Sequence, residues 1–177
     1  MKAASLRWGL VLAAAAVATA AHAHDGKHGA ADAGGPGARW DFTLPTLDGS
    51  RFVQASDING QVLVNFWGRD CAPCVAELPR LQAFARDNPG WTVLLVATDP
   101  SAEANAFLQQ RGIVQTATFT ALRPGANVGG LMRGAGNRHG ALPFSVALRA
   151  GTVCRTQLGE VSDAALAALV NECGPAR

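Results

Sequence analysis

Residues 61–79 read QVLVNFWGRDCAPCVAELP, and they carry a strand, a turn and the start of a helix in one run. The first seven, QVLVNFW, are a continuous apolar stretch of strand length, the pattern of a central strand buried on both faces. After the turn, Val75, Leu78, Leu81, Phe84 and Ala85 recur at three- and four-residue steps, the stripe of an amphipathic helix. Asn88-Pro89-Gly90 stops that helix. Between strand and helix lies Cys71-Ala-Pro-Cys74.

A Cys-x-x-Cys alone is ambiguous, because zinc sites and haem attachment use it too. Structural zinc takes four ligands, usually from two such pairs, and no second pair exists in this chain. No other Cys or His lies within thirty residues of this one, and Val75 follows Cys74 where haem attachment needs His. Redox chemistry remains, and the position supports it. A helix N-terminus presents unpaired N–H groups and partial positive charge, which favour a thiolate. Cys71, at the exposed start, is the expected nucleophile; Cys74, one turn further in, is expected to resolve the mixed disulfide. Pro73 stiffens the loop between them.

On the N-terminal side, FTLPTLDGSRFV (residues 42–53) has β-type residues broken by Asp48-Gly49, read as a tight hairpin. On the C-terminal side, WTVLLVAT (91–98) is a second buried strand. Asp99-Pro100 is read as the cap and first position of another helix, closed by Gly112. A short strand is expected over 118–122, and a loop-rich segment with one helical turn over 124–141. Residues 143–148 and 152–158 read as two strands joined at Ala150-Gly151, and Ser162 caps a last helix that ends before Gly174. Strands alternating with helices, then a closing hairpin and helix, give a three-layer α/β/α domain over 39–174.

Upstream, Lys2 and Arg7 precede an apolar run ending in Ala21-His22-Ala23. That is the layout of a secretory signal over residues 1–23; the alternative is an uncleaved membrane anchor, for which the run is short. Residues 24–38, rich in Gly and Ala, read as a flexible linker, and His24 and His28 on it as polar linker rather than metal ligands. All 13 acidic residues but only 13 of the 15 basic ones follow Ala23, so the mature chain carries no net charge. Nothing in this balance suggests a nucleic-acid partner.

As a set, Phe42-x-Leu-x-x-x-Asp-Gly49, VNFWGRDCAPCVAELP, VLLVATD, Leu142-Pro143 and Gly159-Glu160 resemble the TlpA/ResA-type thioredoxin-like reductases of bacterial envelopes, over residues 40–173. The resemblance implies a thioredoxin-like fold with a central mixed sheet, and a periplasmic thiol–disulfide oxidoreductase without a cofactor beyond its redox-active disulfide. It implies that Pro143 is the cis-proline facing the dithiol, that the backbone of Leu142 pairs with substrate, and that Phe144 borders the substrate groove. It makes Glu77 a proton carrier for Cys74, whose helix face it shares, and Trp67 an aromatic shield, with core packing an equally good reading. The partners it implies are client proteins with disulfides, such as apocytochrome c or a copper-site protein, and a membrane thiol carrier of the DsbD/CcdA type as electron donor. The chain is expected to be a monomer.

Two departures stand out. Asp70 takes the place before the nucleophile where the family has Trp, and a carboxylate there is expected to raise the Cys71 thiolate pKa, with Arg69 as a compensating neighbour. Phe144 replaces a common Thr. A peroxiredoxin would need Pro and Ser or Thr where the chain has Val64 and Gly68. A Sco-type copper carrier would need Cys-x-x-x-Cys, although His139 lies near Pro143. An oxidase or isomerase of the same fold stays open. The loop arginines Arg123, Arg133 and Arg138 could select among clients or simply face solvent.

Cys154 and Cys173 form a second pair. From Cys154 to Gly159 is roughly 17 Å of strand, and from Ser162 to Cys173 roughly 17 Å of helix. An antiparallel return therefore brings the sulfurs to one level, where they form a structural disulfide if the Cβ vectors face each other. Otherwise they are two buried thiols.

Overall fold

A computed structural model of the chain describes residues 34–174. The expected signal (1–23) and residues 24–33 of the expected linker lie outside the described residues. The strands are β1 (Thr43–Pro45), β2 (Phe52–Gln54), β3 (Gln61–Trp67), β4 (Trp91–Ala97), β5 (Phe119–Leu122), β6 (Phe144–Arg149) and β7 (Thr152–Leu158). The helices are α1 (Ala72–Asp87), α2 (Ser101–Gln110), α3 (Val128–Gly134) and α4 (Asp163–Cys173).

One five-stranded sheet runs in the order β5-β4-β3-β6-β7, with β3, β4 and β5 parallel and β6 and β7 antiparallel to their neighbours. The apolar run 61–67 is its middle strand, buried at every position. Its alternating side chains feed two cores. Leu63 and Trp67 join Leu78 and Leu81 of α1, Leu108 of α2 and Leu169 of α4 on one face. Val62, Val64 and Phe66 join Trp40, Leu44 and Met132 on the other, beneath the β1–β2 hairpin and α3. Burial of each such side chain contributes about 1.5–3 kcal/mol, so a strand loaded on both sides anchors the fold. The architecture is the thioredoxin-like α/β/α arrangement.

Local chemistry explains most element ends. Ser162 Oγ accepts from Ala165 N–H and caps α4. Gly112, at a φ of 67°, ends α2 with paired backbone bonds from Gly112 N–H to Gln109 and from Ile113 N–H to Leu108, a left-handed C-terminal cap that glycine adopts without Cβ strain.

Three expectations are corrected. The Asp48-Gly49 turn is a six-residue connection, 46–51, rather than a tight one: Asp48 accepts from the Thr46 hydroxyl and from the Ser50 N–H and hydroxyl. Those donors, Thr46 first, hold its carboxyl down at about 2. The loop also donates Leu47 N–H to Ala121 O, covering the edge of β5. Helix α2 starts one residue late, at Ser101, because the Asp99 carboxylate accepts from Arg69 N–H at 2.8 Å instead of capping. Finally, residues 34–38 of the supposed linker belong to the packed body. Gly37 N–H donates to Val153 O at 2.7 Å and Val153 N–H to Ala38 O at 2.8 Å. The backbone polar groups of this segment find partners on β7, which its Gly-rich composition does not reveal.

The second cysteine pair depends on an irregularity in β7. Ala147 pairs with Arg155 and Leu148 with Val153, so Cys154 is the extra residue of a β-bulge. Val153 packs into the hairpin-side core, whereas Cys154 and Arg155 both reach α4. Cys154 is bonded to Cys173 with Cα atoms 5.8 Å apart, and Arg155 pairs with Glu172 at 2.7 Å.

Candidate active site

The dithiol sits where β3 gives way to α1. Thr98 closes the end of β4 against β3, its N–H and hydroxyl both donating to Trp67 O at 2.9 and 3.1 Å. The chain then turns at Gly68, where a Cβ would lie 2.8 Å from Thr98 Oγ1 and 3.7 Å from Leu142. Glycine is required here by Thr98, whose hydroxyl leaves no room for a Cβ, while Leu142 packs over the turn at ordinary contact distance. Cys71 N–H bonds back to Gly68 O, and Cys71 becomes the N-cap of α1. Its Sγ accepts from Cys74 N–H at 3.3 Å, one of the orphan donors of the helix start. Cys71 and Cys74 are joined as a disulfide, Cα atoms 5.2 Å apart. Cys71 is part-exposed and Cys74 fully buried, so an incoming nucleophile reaches Cys71.

Pro143 lies beside this turn because β6 pairs with β3, Phe144 opposite Phe66. The Leu142–Pro143 bond is cis, and Pro143 O accepts from Gly159 N–H at 2.9 Å. Leu142 is half-buried over Gly68. Beyond Pro143, Gly136, Asn137, Arg138, His139 and Leu158 line a cavity of about 200 Å³.

Glu77 is fully buried, 0% exposed. Its Oε2 accepts from Val161 N–H at 2.7 Å and its Oε1 from Asn65 Nδ2 at 2.7 Å. Burial pushes its carboxyl above the ordinary value, and the two donors oppose that shift. One turn on, Arg80 donates to Val161 O at 2.9 Å and pairs with Glu160 and Asp163. Glu77 and Arg80 thus grip both sides of the Val161 peptide, fixing α1 to the connection between β7 and α4. An exposed helix glutamate is ruled out.

Other expected residues fall elsewhere. Phe144 is 3% exposed and stacks on Phe66 at 5.9 Å in the hairpin-side core, so its side chain does not border a substrate groove: strand alternation turns it away from the dithiol. Trp67 is fully buried with Cys74 and beside Phe107, as core packing. Asp70 projects into solvent, 92% exposed. Arg69 is its compensating neighbour, with Nε 3.9 Å from the Asp70 carboxylate, and the same guanidinium is shared with Glu103 at 2.7 Å and Asp99 at 3.7 Å. Arg123 lies against Gly49 while Arg138 lines the cavity by Leu158, so the loop arginines serve different surfaces. Among the described residues no cluster of three metal-ligating side chains occurs.

The sequence reading passed over Asn65 and Ser145. Asn65 also donates to Ser145 Oγ at 3.0 Å, and both are buried. A polar residue inside each of two apolar strand runs was the available signal.

A helix-capping dithiol on a thioredoxin-like sheet, with a cis-proline at the head of the neighbouring strand β6, defines a class: the chain is a thiol–disulfide oxidoreductase of thioredoxin fold. Residues 37–123 match the AhpC/TSA family. No curated protein matches the chain. Among solved structures it is similar to a Neisseria meningitidis protein assigned as a thioredoxin, with 27% identity over 75% of this chain and 87% of that one, TM-score 0.61. It is similar to a Chlorobium tepidum protein assigned as the thiol:disulfide interchange protein DsbE, with 26% identity over 80% and 95%, TM-score 0.61. The exposed lipoprotein thioredoxin Etrx1 of Streptococcus pneumoniae shares the fold, with 24% identity over 75% and 98%, TM-score 0.59.

Proposed function

We propose that this chain is an exported reductase of client-protein disulfides, of the TlpA/ResA type, working in the periplasm. The observation that carries the reading is the buried Glu77 carboxyl, on the helix face of the equally buried Cys74. A reductase must deprotonate its resolving thiol inside the protein, and a carboxylate with a raised pKa suits that task.

In this reading the reduced Cys71 thiolate attacks one sulfur of a client disulfide. A mixed disulfide forms, and the other client sulfur leaves as a thiolate. Cys74 gives its proton to Glu77 and attacks Cys71 Sγ, so the second client sulfur leaves and the Cys71–Cys74 disulfide is restored. Two electrons from a membrane dithiol carrier of the DsbD/CcdA type, with two protons, return the pair to its reduced form. In the same reading the backbone of Leu142 aligns the client. Apocytochrome c or copper-site proteins, whose cysteines must be reduced before they take haem or metal, are suitable clients.

Export is supported by the signal-like N-terminus and by the likeness to DsbE-type and lipoprotein thioredoxins. The reduction potential of the Cys71–Cys74 pair tests the direction. A value of roughly −200 to −270 mV is expected for a reductase, and one near −120 mV would reassign the chain as an oxidant.

A further inference from the structure

Asn65 sits in the middle strand at 0% exposure. Its Nδ2 donates to Glu77 Oε1 and to Ser145 Oγ, and its Oδ1 is buried with no partner among the described residues. An apolar side chain would suit a strand buried on both faces and leave no unpaired oxygen, which is costly in such a site. Folding alone therefore gives no reason for an amide here.

The reason lies in what an amide can offer a carboxyl that changes charge. Val161 N–H can only donate, so Glu77 Oε2 remains an acceptor in either state, and a proton on the carboxyl belongs on Oε1, facing Asn65. With its NH₂ toward Glu77, Asn65 stabilises the carboxylate. Turned by half a rotation, it presents Oδ1 to a protonated Oε1, while the Ser145 hydroxyl, donor or acceptor by rotation, follows the change. The remaining titratable groups around Glu77 are Cys74 and Arg80 on its own helix, and Glu160 and Asp163 beyond β7, both paired to Arg80. β3 and β6 contribute only the uncharged Asn65 and Ser145.

We propose that Asn65, anchored by Ser145, is a positioning residue that serves both protonation states of Glu77, so that the carboxyl can accept and return the Cys74 proton. This rests on the role given to Glu77 above. The test uses the full chain and two readouts: the pH titration of the Glu77 carboxyl carbon by NMR, assigned with E77Q, and the pH profile of Cys74 alkylation by iodoacetamide in a C71A background.

Asn65→Leu removes a hydrogen bond from both forms of Glu77, and the one to the charged form is the stronger. It is expected to raise the Glu77 midpoint by about one pH unit and to carry the Cys74 profile with it. Ser145→Ala, a milder change, is expected to raise both by less. In an E77Q background Asn65→Leu is expected to leave the Cys74 profile unmoved. An unshifted carboxyl midpoint in both variants overturns the proposal, and Ser145→Ala decides alone should Asn65→Leu not fold. A shifted carboxyl with an unmoved Cys74 profile overturns the role of Glu77 in resolution, while leaving the hold of Asn65 on Glu77 intact.

Discussion

Glu77 is held by two donors inside the core, and burial still raises its pKa above 4.5. In the interval between the ordinary and the raised value the folded protein binds more protons than the unfolded chain. Stability therefore falls as pH rises through that interval. Gln at 77 cannot ionise, so the stability of E77Q relative to the parent is expected to increase from pH about 4.5 upward, read as urea midpoints across the series. A difference independent of pH would contradict the assignment. Asp70 acts differently because it is solvated. Its charge is screened by water and salt, so Asp70→Asn is expected to lower the Cys71 thiolate pKa by only about half a unit. Ultraviolet titration of the thiolate in reduced protein checks the size. A shift of two units or more would mean that the carboxylate turns onto Cys71.

Among the elements, β7 and α4 depend on each other through the bulge at Cys154. The bulge turns two consecutive residues to the helix, one for the disulfide and one for the Arg155–Glu172 pair. The disulfide closes a loop across a separation of 19 residues. Replacing Cys154 and Cys173 together by Ala is expected to destabilise the fold by about 3 kcal/mol, measured by urea unfolding, without changing the exchange rate at Cys71. A loss of exchange equal to that of C71A would show that the second pair takes part in the chemistry. The sequence made the level of the two sulfurs legible from rise per residue, but the bulge, which aims Cys154, is invisible there. It arises from how β7 pairs with β6. The strands β3 to β7 and the cap of α4 were legible, because apolar runs and Ser162 act locally. The start of α2 was not, because the Asp99 carboxylate meets Arg69 N–H across the site instead of its own helix.

Across the whole molecule, the two disulfides match in access, each joining a half-buried cysteine (Cys71, Cys154) to a fully buried one (Cys74, Cys173), and differ in setting. Cys71 caps the start of α1, where helix N–H groups stabilise it as a leaving thiolate, whereas Cys154 and Cys173 tie β7 to the end of α4. Stepwise reduction with dithiothreitol followed by mass tagging is expected to open Cys71–Cys74 first, leaving Cys154–Cys173 bonded until unfolding. Opening in the reverse order would refute a structural role for the second pair. The sequence alone determined the middle strand, the helix that follows it and the dithiol between them, because strand burial and helix capping are properties of neighbouring residues. Only the tertiary structure decided the fate of residues distant along the chain. Pairing of β6 with β3 turned Phe144 into the opposite core and brought Pro143 to the end of β3 from which the dithiol turn departs. Packing of α1 on the connection after β7 buried Glu77 and gave its carboxyl the Val161 and Asn65 donors. A carboxyl's proton affinity depends on the water it loses and the donors it gains, and both are supplied by residues that are neighbours only in the folded chain.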